Sequence, residues 1–222
     1  MTAAGKATPL PFRYRWLRRL VQLQVGLLLY GLSMALMIHS RLGLDPWDVF
    51  HQGVAKRLHL SFGTVVIIVG ALVLLLWIPL RQRPGVGTIS NVVVIGVSVD
   101  VFLWLLPAPS ALWLRITLLV AGVVLNGVAT GMYIGARLGP GPRDGLMTGL
   151  VGRTGRSVRL VRTTIEVAVL LTGFLLGGTV GVATVLYAVS IGPLTQLFLP
   201  VFWVASAPAP ASNGAPIPAT LH

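Results

Sequence analysis

The 222-residue sequence contains no cysteine. That excludes disulfides, thiolate metal sites and a thiol nucleophile, and it leaves the redox compartment open. Charge is scarce too: 10% of residues are charged, where a soluble domain carries about 25%. There are only five acids, Asp45, Asp48, Asp100, Asp144 and Glu166. His39, His51, His59 and His222 have no spacing suited to zinc. No Gly-x-Ser-x-Gly elbow occurs. The glycine-rich run 139–145 lacks the lysine and Ser/Thr of a phosphate loop. Without a nucleophile, a metal set or paired acids, no enzyme chemistry and no cofactor are expected.

Apolar residues dominate what remains. The chain is 55% hydrophobic, and its mean hydropathy is +0.86. Six apolar runs stand out, at residues 20–38, 62–80, 86–106, 112–134, 167–176 and 180–204. Five of them reach the roughly 17–25 residues that cross a ~30 Å hydrocarbon core. The fifth is short, and extending it back through Glu166 to Val158 makes a full span. A signal peptide is the competing reading for residues 1–40. The run is too long for one and no convincing cleavage site follows it.

The net charge of +12 would suggest nucleic acid in a soluble protein. Positive-inside orientation accounts for it here, and no nucleic-acid partner is expected. With six spans, thirteen basic residues fall on the side of both termini: Lys6, Arg13, Arg15, Arg18, Arg19, Arg81, Arg83, Arg137, Arg143, Arg153, Arg156, Arg159 and Arg162. Four (Arg41, Lys56, Arg57 and Arg115) fall on the other. That asymmetry puts both termini in the cytoplasm.

The chain also repeats itself. Shifting by 96 positions aligns residues 19–102 with 115–198 without a gap, giving 26 identities over 84 positions. Leu42-Gly43, Pro46, Asp48, Gly53, Arg57 and Ser61 return as Leu138-Gly139, Pro142, Asp144, Gly149, Arg153 and Ser157. Each copy holds three spans, so the second is inverted relative to the first, the plan of many transporters. Between the first and second span of each copy lies a Gly/Pro-interrupted stretch, 42–60 and 138–156. Pro46 and Pro142 suit the first turn of a short helix that lies at the interface or re-enters the membrane.

Acids near hydrocarbon are costly, so each needs a reason. Asp48 and Asp144, two residues after the prolines, suit helix capping or pairing with Arg57 and Arg153; direct ligand or proton roles are the alternative. Under the inverted plan they lie at opposite membrane faces. Glu166 follows Arg162 by four residues, which makes an intrahelical ion pair available. If it faces a cavity instead, it carries a proton or holds a cationic substrate. Arg153, Arg156, Arg159 and Arg162 read first as orientation signals, and second as a site for anionic lipid headgroups. Asn91, Asn126 and Gln24 read mainly as helix-joining groups, and Asp100, with Gln196 as its repeat mate, is expected late in the third span near the outer leaflet. The stripes Gly127/Gly131/Gly135, Gly141/Gly145/Gly149 and Gly173/Gly177/Gly181 read as close-packing faces.

The repeated Leu-Gly-x-x-Pro-x-Asp-x-x-x-x-Gly-x-x-x-Arg, with Ser-x-x-x-Val after it, resembles the YczE/YyaS/YitT family of bacterial integral membrane proteins, in particular its YczE branch. Residues 43–64, 77–88 and 138–162 carry the likeness, which extends over 15–203. It implies a multi-helix protein of the bacterial inner membrane and transfers no binding residue.

The expectation is therefore an all-α bundle of six spans in two inverted repeats, 15–110 and 111–204. A basic cytoplasmic segment 1–14 precedes it, and a disordered Pro/Ala-rich tail 205–222 follows. The leading function is a small secondary transporter or permease for a small polar or anionic solute. The two broken segments line its path from opposite faces and present positive helix ends. Candidate site residues are Pro46, Asp48, Arg57, Pro142, Asp144, Arg153 and Glu166. The alternative is a non-transporting scaffold or accessory protein that assists a partner or an export process. Expected partners are the lipid bilayer and the solute, and a homodimer is compatible.

Overall fold

The computed structural model describes residues 12–204, with side chains from Trp16 onward. The expected tail 205–222 and residues 1–11 of the expected basic segment lie outside the described residues. Every described element is a helix: α1 Phe12–Ser40, α2 Pro46–Leu58, α3 Phe62–Leu80, α4 Val86–Leu105, α5 Leu112–Gly135, α6 Pro142–Thr154, α7 Val158–Leu175 and α8 Val182–Phe202. The first helix starts at Phe12, ahead of the apolar run that begins at Leu20.

Five helices are long and apolar enough to cross a membrane: α1 from Trp16, α3, α4, α5 and α8. The seventh has 18 residues, but carries Arg159, Arg162 and Glu166. These helices fit an integral membrane protein.

Local sequence explains where the helices begin. Pro46 and Pro142 open α2 and α6, where a missing N–H costs nothing. Ser61 and Ser157 cap α3 and α7 by accepting from the Thr64 and Leu160 amides. The Thr88 and Thr184 hydroxyls accept from the Gly85 and Gly181 amides at the starts of α4 and α8.

The two halves interlock through their backbones. The Gly87 amide donates to Leu138 O at 2.8 Å, and the Ala183 amide donates to Leu42 O at 3.0 Å. These bonds fasten α4 beside the start of α6, and α8 beside the start of α2. Gly43 and Gly139 sit at φ of 115° and 130°, a region that favours glycine. A Cβ at Gly43 would also strike the backbone of Gly181.

Small residues set several helix contacts, but the expected stripe Gly173/Gly177/Gly181 is not a helix face, because α7 ends at Leu175 and Gly177, at φ of 96°, has nothing within 4 Å. Helices α1 and α5 cross at the centre, where Gly26 faces the turn 129–133 and Gly122 faces Ser33, Leu36 and Met37. Gly127, Gly131 and Gly135 receive Leu194, Phe198 and Phe202 of α8. The short helices dock across the halves, α2 on α7 and α6 on α3. Gly173 lets the backbone of Val49 and Phe50 approach α7. Its counterpart in the first half, 96 positions earlier, is Trp77. That indole fills the space above Gly145 and donates to Pro142 O at 3.1 Å.

One difference between the halves matters for the site. Helix α3 packs along α4, with Gly63 and Gly96 meeting backbone to backbone. Asp100 accepts from the Gly63 amide at 2.7 Å and from the Ser61 hydroxyl. Helix α7 does not pack along α8 in this way. Arg159 stands where Gly63 does and cannot enter so close a crossing, Gln196 replaces Asp100, and Gly192 faces open space.

Candidate functional site

A cavity of about 350 Å³ lies inside the bundle, and all eight helices contribute to its wall. Its floor is made by the beginnings of both short helices: Asp45, Pro46 and Trp47 from one, Pro142, Arg143 and Asp144 from the other. This corrects the expectation that the two proline–aspartate turns lie at opposite membrane faces. They meet at one interior site, because each short helix docks on the long helix of the other half.

Asp45 occupies the N-cap of α2 and accepts from the Trp47 and Asp48 amides at 2.9 and 3.0 Å. The expected capping by Asp48 is thus done by Asp45, one residue before the proline. Asp48 is fully buried and contacts His51 Nδ1 at 3.1 Å through Oδ1, while its Oδ2 has no hydrogen-bond partner. Arg143 reaches across from α6, with Nη1 3.8 Å from Asp45 and Nη2 3.6 Å from Asp48. Its guanidinium also lies over the Trp47 ring, 4.9 Å from the centroid. A charge buried this deeply is tolerable only when paired, so the two aspartates and the arginine hold one another in place.

Asp144 does not cap α6; it accepts from the Tyr133 hydroxyl at 2.8 Å. Arg162 donates to Glu166 at 2.9 Å, the intrahelical pair expected from their spacing. Their side chains are 56% and 39% exposed, whereas Asp45 and Asp48 are buried. The arginine–glutamate pair therefore stands at the mouth of the cavity and the aspartates at its floor. Ile191, Gly192, Thr195 and Gln196 of α8 line the wall opposite that pair, so the mouth lies where α7 and α8 are apart. Behind the wall, Asn126 donates to the Ser33 hydroxyl at 2.9 Å and accepts from Tyr187 at 3.0 Å.

Four of the residues anticipated from sequence, Pro46, Pro142, Asp144 and Glu166, line the cavity; Asp48 lies directly behind it. Arg57 and Arg153 do not belong to it. Arg57 donates to Leu176 O at 3.4 Å, and Arg153 donates to Pro79 O. Asp48 consequently pairs with Arg143 rather than with Arg57.

Sequence reasoning missed Asp45, Arg143 and the aromatic side chains Tyr30, Trp47, Tyr133 and Tyr187. Asp45 carried a signal, since an acid just before a helix-opening proline is an N-cap candidate. Arg143 was absorbed into the orientation charges. The tyrosines, isolated in apolar helices, had none. Among the described residues no group of three or more histidines and carboxylates is placed to hold a metal ion.

Comparison with known proteins matches residues 17–200 to a family model described as a family of unknown function, DUF6198. A Haemophilus influenzae protein, itself described only as uncharacterized, is 40% identical over 180 residues, covering 79% of this chain and 83% of its own. The uncharacterized membrane protein YczE of Bacillus subtilis is 37% identical over 177 residues, covering 79% and 82%. The Bacillus subtilis protein YyaS is 25% identical over 183 residues, covering 80% and 90%. No solved structure matches the chain. With its apolar helices and a membrane protein among its relatives, this chain is a membrane protein and belongs to the DUF6198 family, in the company of YczE.

Proposed function

We propose that the chain is a small secondary transporter whose substrate site is the cavity at the two helix starts. In this reading α7 is a sixth span, the halves are inverted repeats, and both termini lie in the cytoplasm of the bacterial inner membrane. The observation that carries it is the unequal closure around a buried polar site. On one side Gly63, Gly96 and Asp100 seal α3 against α4; on the other, α7 and α8 stand apart at the cavity mouth. Inverted repeats that adopt different arrangements present one site to one compartment at a time. The distribution of basic residues supports an open side that faces the cytoplasm. The opposite state would close α7 onto α8 and part α3 from α4.

The site's chemistry supports the same reading. Buried charges in a membrane protein are expensive and mark substrate or ion pathways. No step requires a cofactor or a covalent intermediate.

The test is flux. Vesicles reconstituted with the chain are challenged with a panel of small polar solutes on a solid-supported membrane, and current is recorded. At least one solute should give a current that Asp144→Asn and Glu166→Gln remove while leaving the protein inserted. No current with any solute, or current indifferent to both substitutions, would overturn the proposal and leave the accessory-protein alternative.

A further inference from the structure

The charges around the cavity do not balance. Asp45, Asp48, Asp144 and Glu166 are four carboxylates, and Arg143 and Arg162 are the two guanidiniums they meet. Both cations are already engaged. Arg143 is shared between Asp45 and Asp48, and Arg162 is held by Glu166. Asp144 receives one neutral donor, the Tyr133 hydroxyl. The buried Oδ2 of Asp48 receives none. Even with one proton shared between the adjacent, buried Asp45 and Asp48, the set keeps a negative charge in excess inside an apolar bundle.

An anionic guest would add to that excess without a free basic group to meet it. A cation would reduce it. The wall is also suited to a cation in a second, independent way, because Tyr30, Trp47, Tyr133 and Tyr187 all contribute to it. Aromatic faces attract ammonium and guanidinium groups, most strongly where water is excluded. Arg143 already demonstrates the arrangement, with its positive group over an indole and beside two carboxylates.

We propose that the cavity binds an organic ammonium ion, with the charged head between Asp144 and the tyrosine faces and the apolar body toward the aliphatic wall of α3 and α4. This rests on the cavity being the substrate site and replaces the anionic option with a cationic one. Val66, Val69, Val92 and Ile95 provide that aliphatic wall. Glu166 and Arg162 at the mouth then act as a pair: the carboxylate draws the cation in and masks the guanidinium that would repel it.

The experiment is equilibrium binding to the purified full chain in detergent, read by tryptophan fluorescence and calorimetry. Three probes that share a phenyl ring and differ in the charge of the head are used: benzyltrimethylammonium, benzyl alcohol and benzoate. Benzyltrimethylammonium should bind about tenfold or more tighter than benzyl alcohol, and benzoate should show no binding. Asp144→Asn should weaken the ammonium by about tenfold. Glu166→Gln sits at the exposed mouth, where it does not burden folding, and should also weaken it by freeing Arg162. Benzoate binding as tightly as the ammonium, or ammonium affinity untouched by both substitutions, would overturn the assignment. Binding without flux would uphold the cation assignment and count against transport. Flux of anions without ammonium binding would do the reverse.

Discussion

Arg143 lies over the indole of Trp47, 4.9 Å from its centroid, and the two residues hold the same place in the two halves of the chain, 96 positions apart. Each follows the proline that opens its short helix. The stack therefore joins the two helix starts directly, and the aspartates of α2 complete the joint from below.

Removing the arginine should be costly. Arg143→Met leaves Asp45 and Asp48 buried without their counter-charge, and losing one partner of a buried pair costs about 3–5 kcal/mol. The expected result is a large drop in thermal stability in detergent. Arg143→Lys should retain part of it, because the ammonium keeps the charge but loses the planar stack on Trp47. Equal stability of wild type and methionine variant would show that the three charges do not depend on one another.

Two equivalent glycines should respond oppositely. A Cβ at Gly96 meets Ile67 and the carbonyl of Gly63, so Gly96→Ala should destabilise by about 1–3 kcal/mol, the usual range for overpacking. Gly192 has nothing within 4 Å, so Gly192→Ala should be neutral, or stabilising by up to about 1 kcal/mol through helix propensity. Paired thermal melts decide it. Matching losses at both positions would mean that α7 and α8 are closed in solution.

The absence of native cysteine makes single-site labelling free of background. Thr195 lines the cavity mouth, while its counterpart Val99 is fully buried between helices. Thr195→Cys should react readily with a membrane-impermeant maleimide in inside-out vesicles, and Val99→Cys should react slowly and only from the outer side. Fast labelling of both from one side would exclude alternation between the two openings.

Arg57 and Arg153 are exposed and, among the described residues, donate to carbonyls at the ends of neighbouring helices. Alanine at either should cost at most about 1 kcal/mol, as for other exposed charged contacts. It should also leave ammonium binding within error in calorimetry. A tenfold loss of affinity would place them in the site after all.

Several parts of this architecture are legible one residue at a time. Pro46 and Pro142 mark the starts of α2 and α6 because the first turn is where a missing N–H costs a helix nothing. The four-residue spacing of Arg162 and Glu166 determines their pairing, since it is one helix turn. Gly127, Gly131 and Gly135 announce a close helix contact, although nothing local says that the partner is α8. The role of Asp48 was misassigned for the same reason: its true partner, Arg143, is 95 residues away, and no local period connects them.

By itself the sequence determined the class of molecule: apolar helices of membrane-crossing length, a shift of 96 positions that repeats the chain, and broken segments between the first and second run of each copy. Those properties follow from composition and short-range spacing, which each segment carries wherever it sits. Tertiary structure alone decided that the two broken segments meet, and that one half is sealed by Gly63, Gly96 and Asp100 while the other stays apart at Arg159, Gly192 and Gln196. Those outcomes depend on which backbones can approach within a few ångströms, and on which charges are buried next to one another, and both are properties of helix pairs.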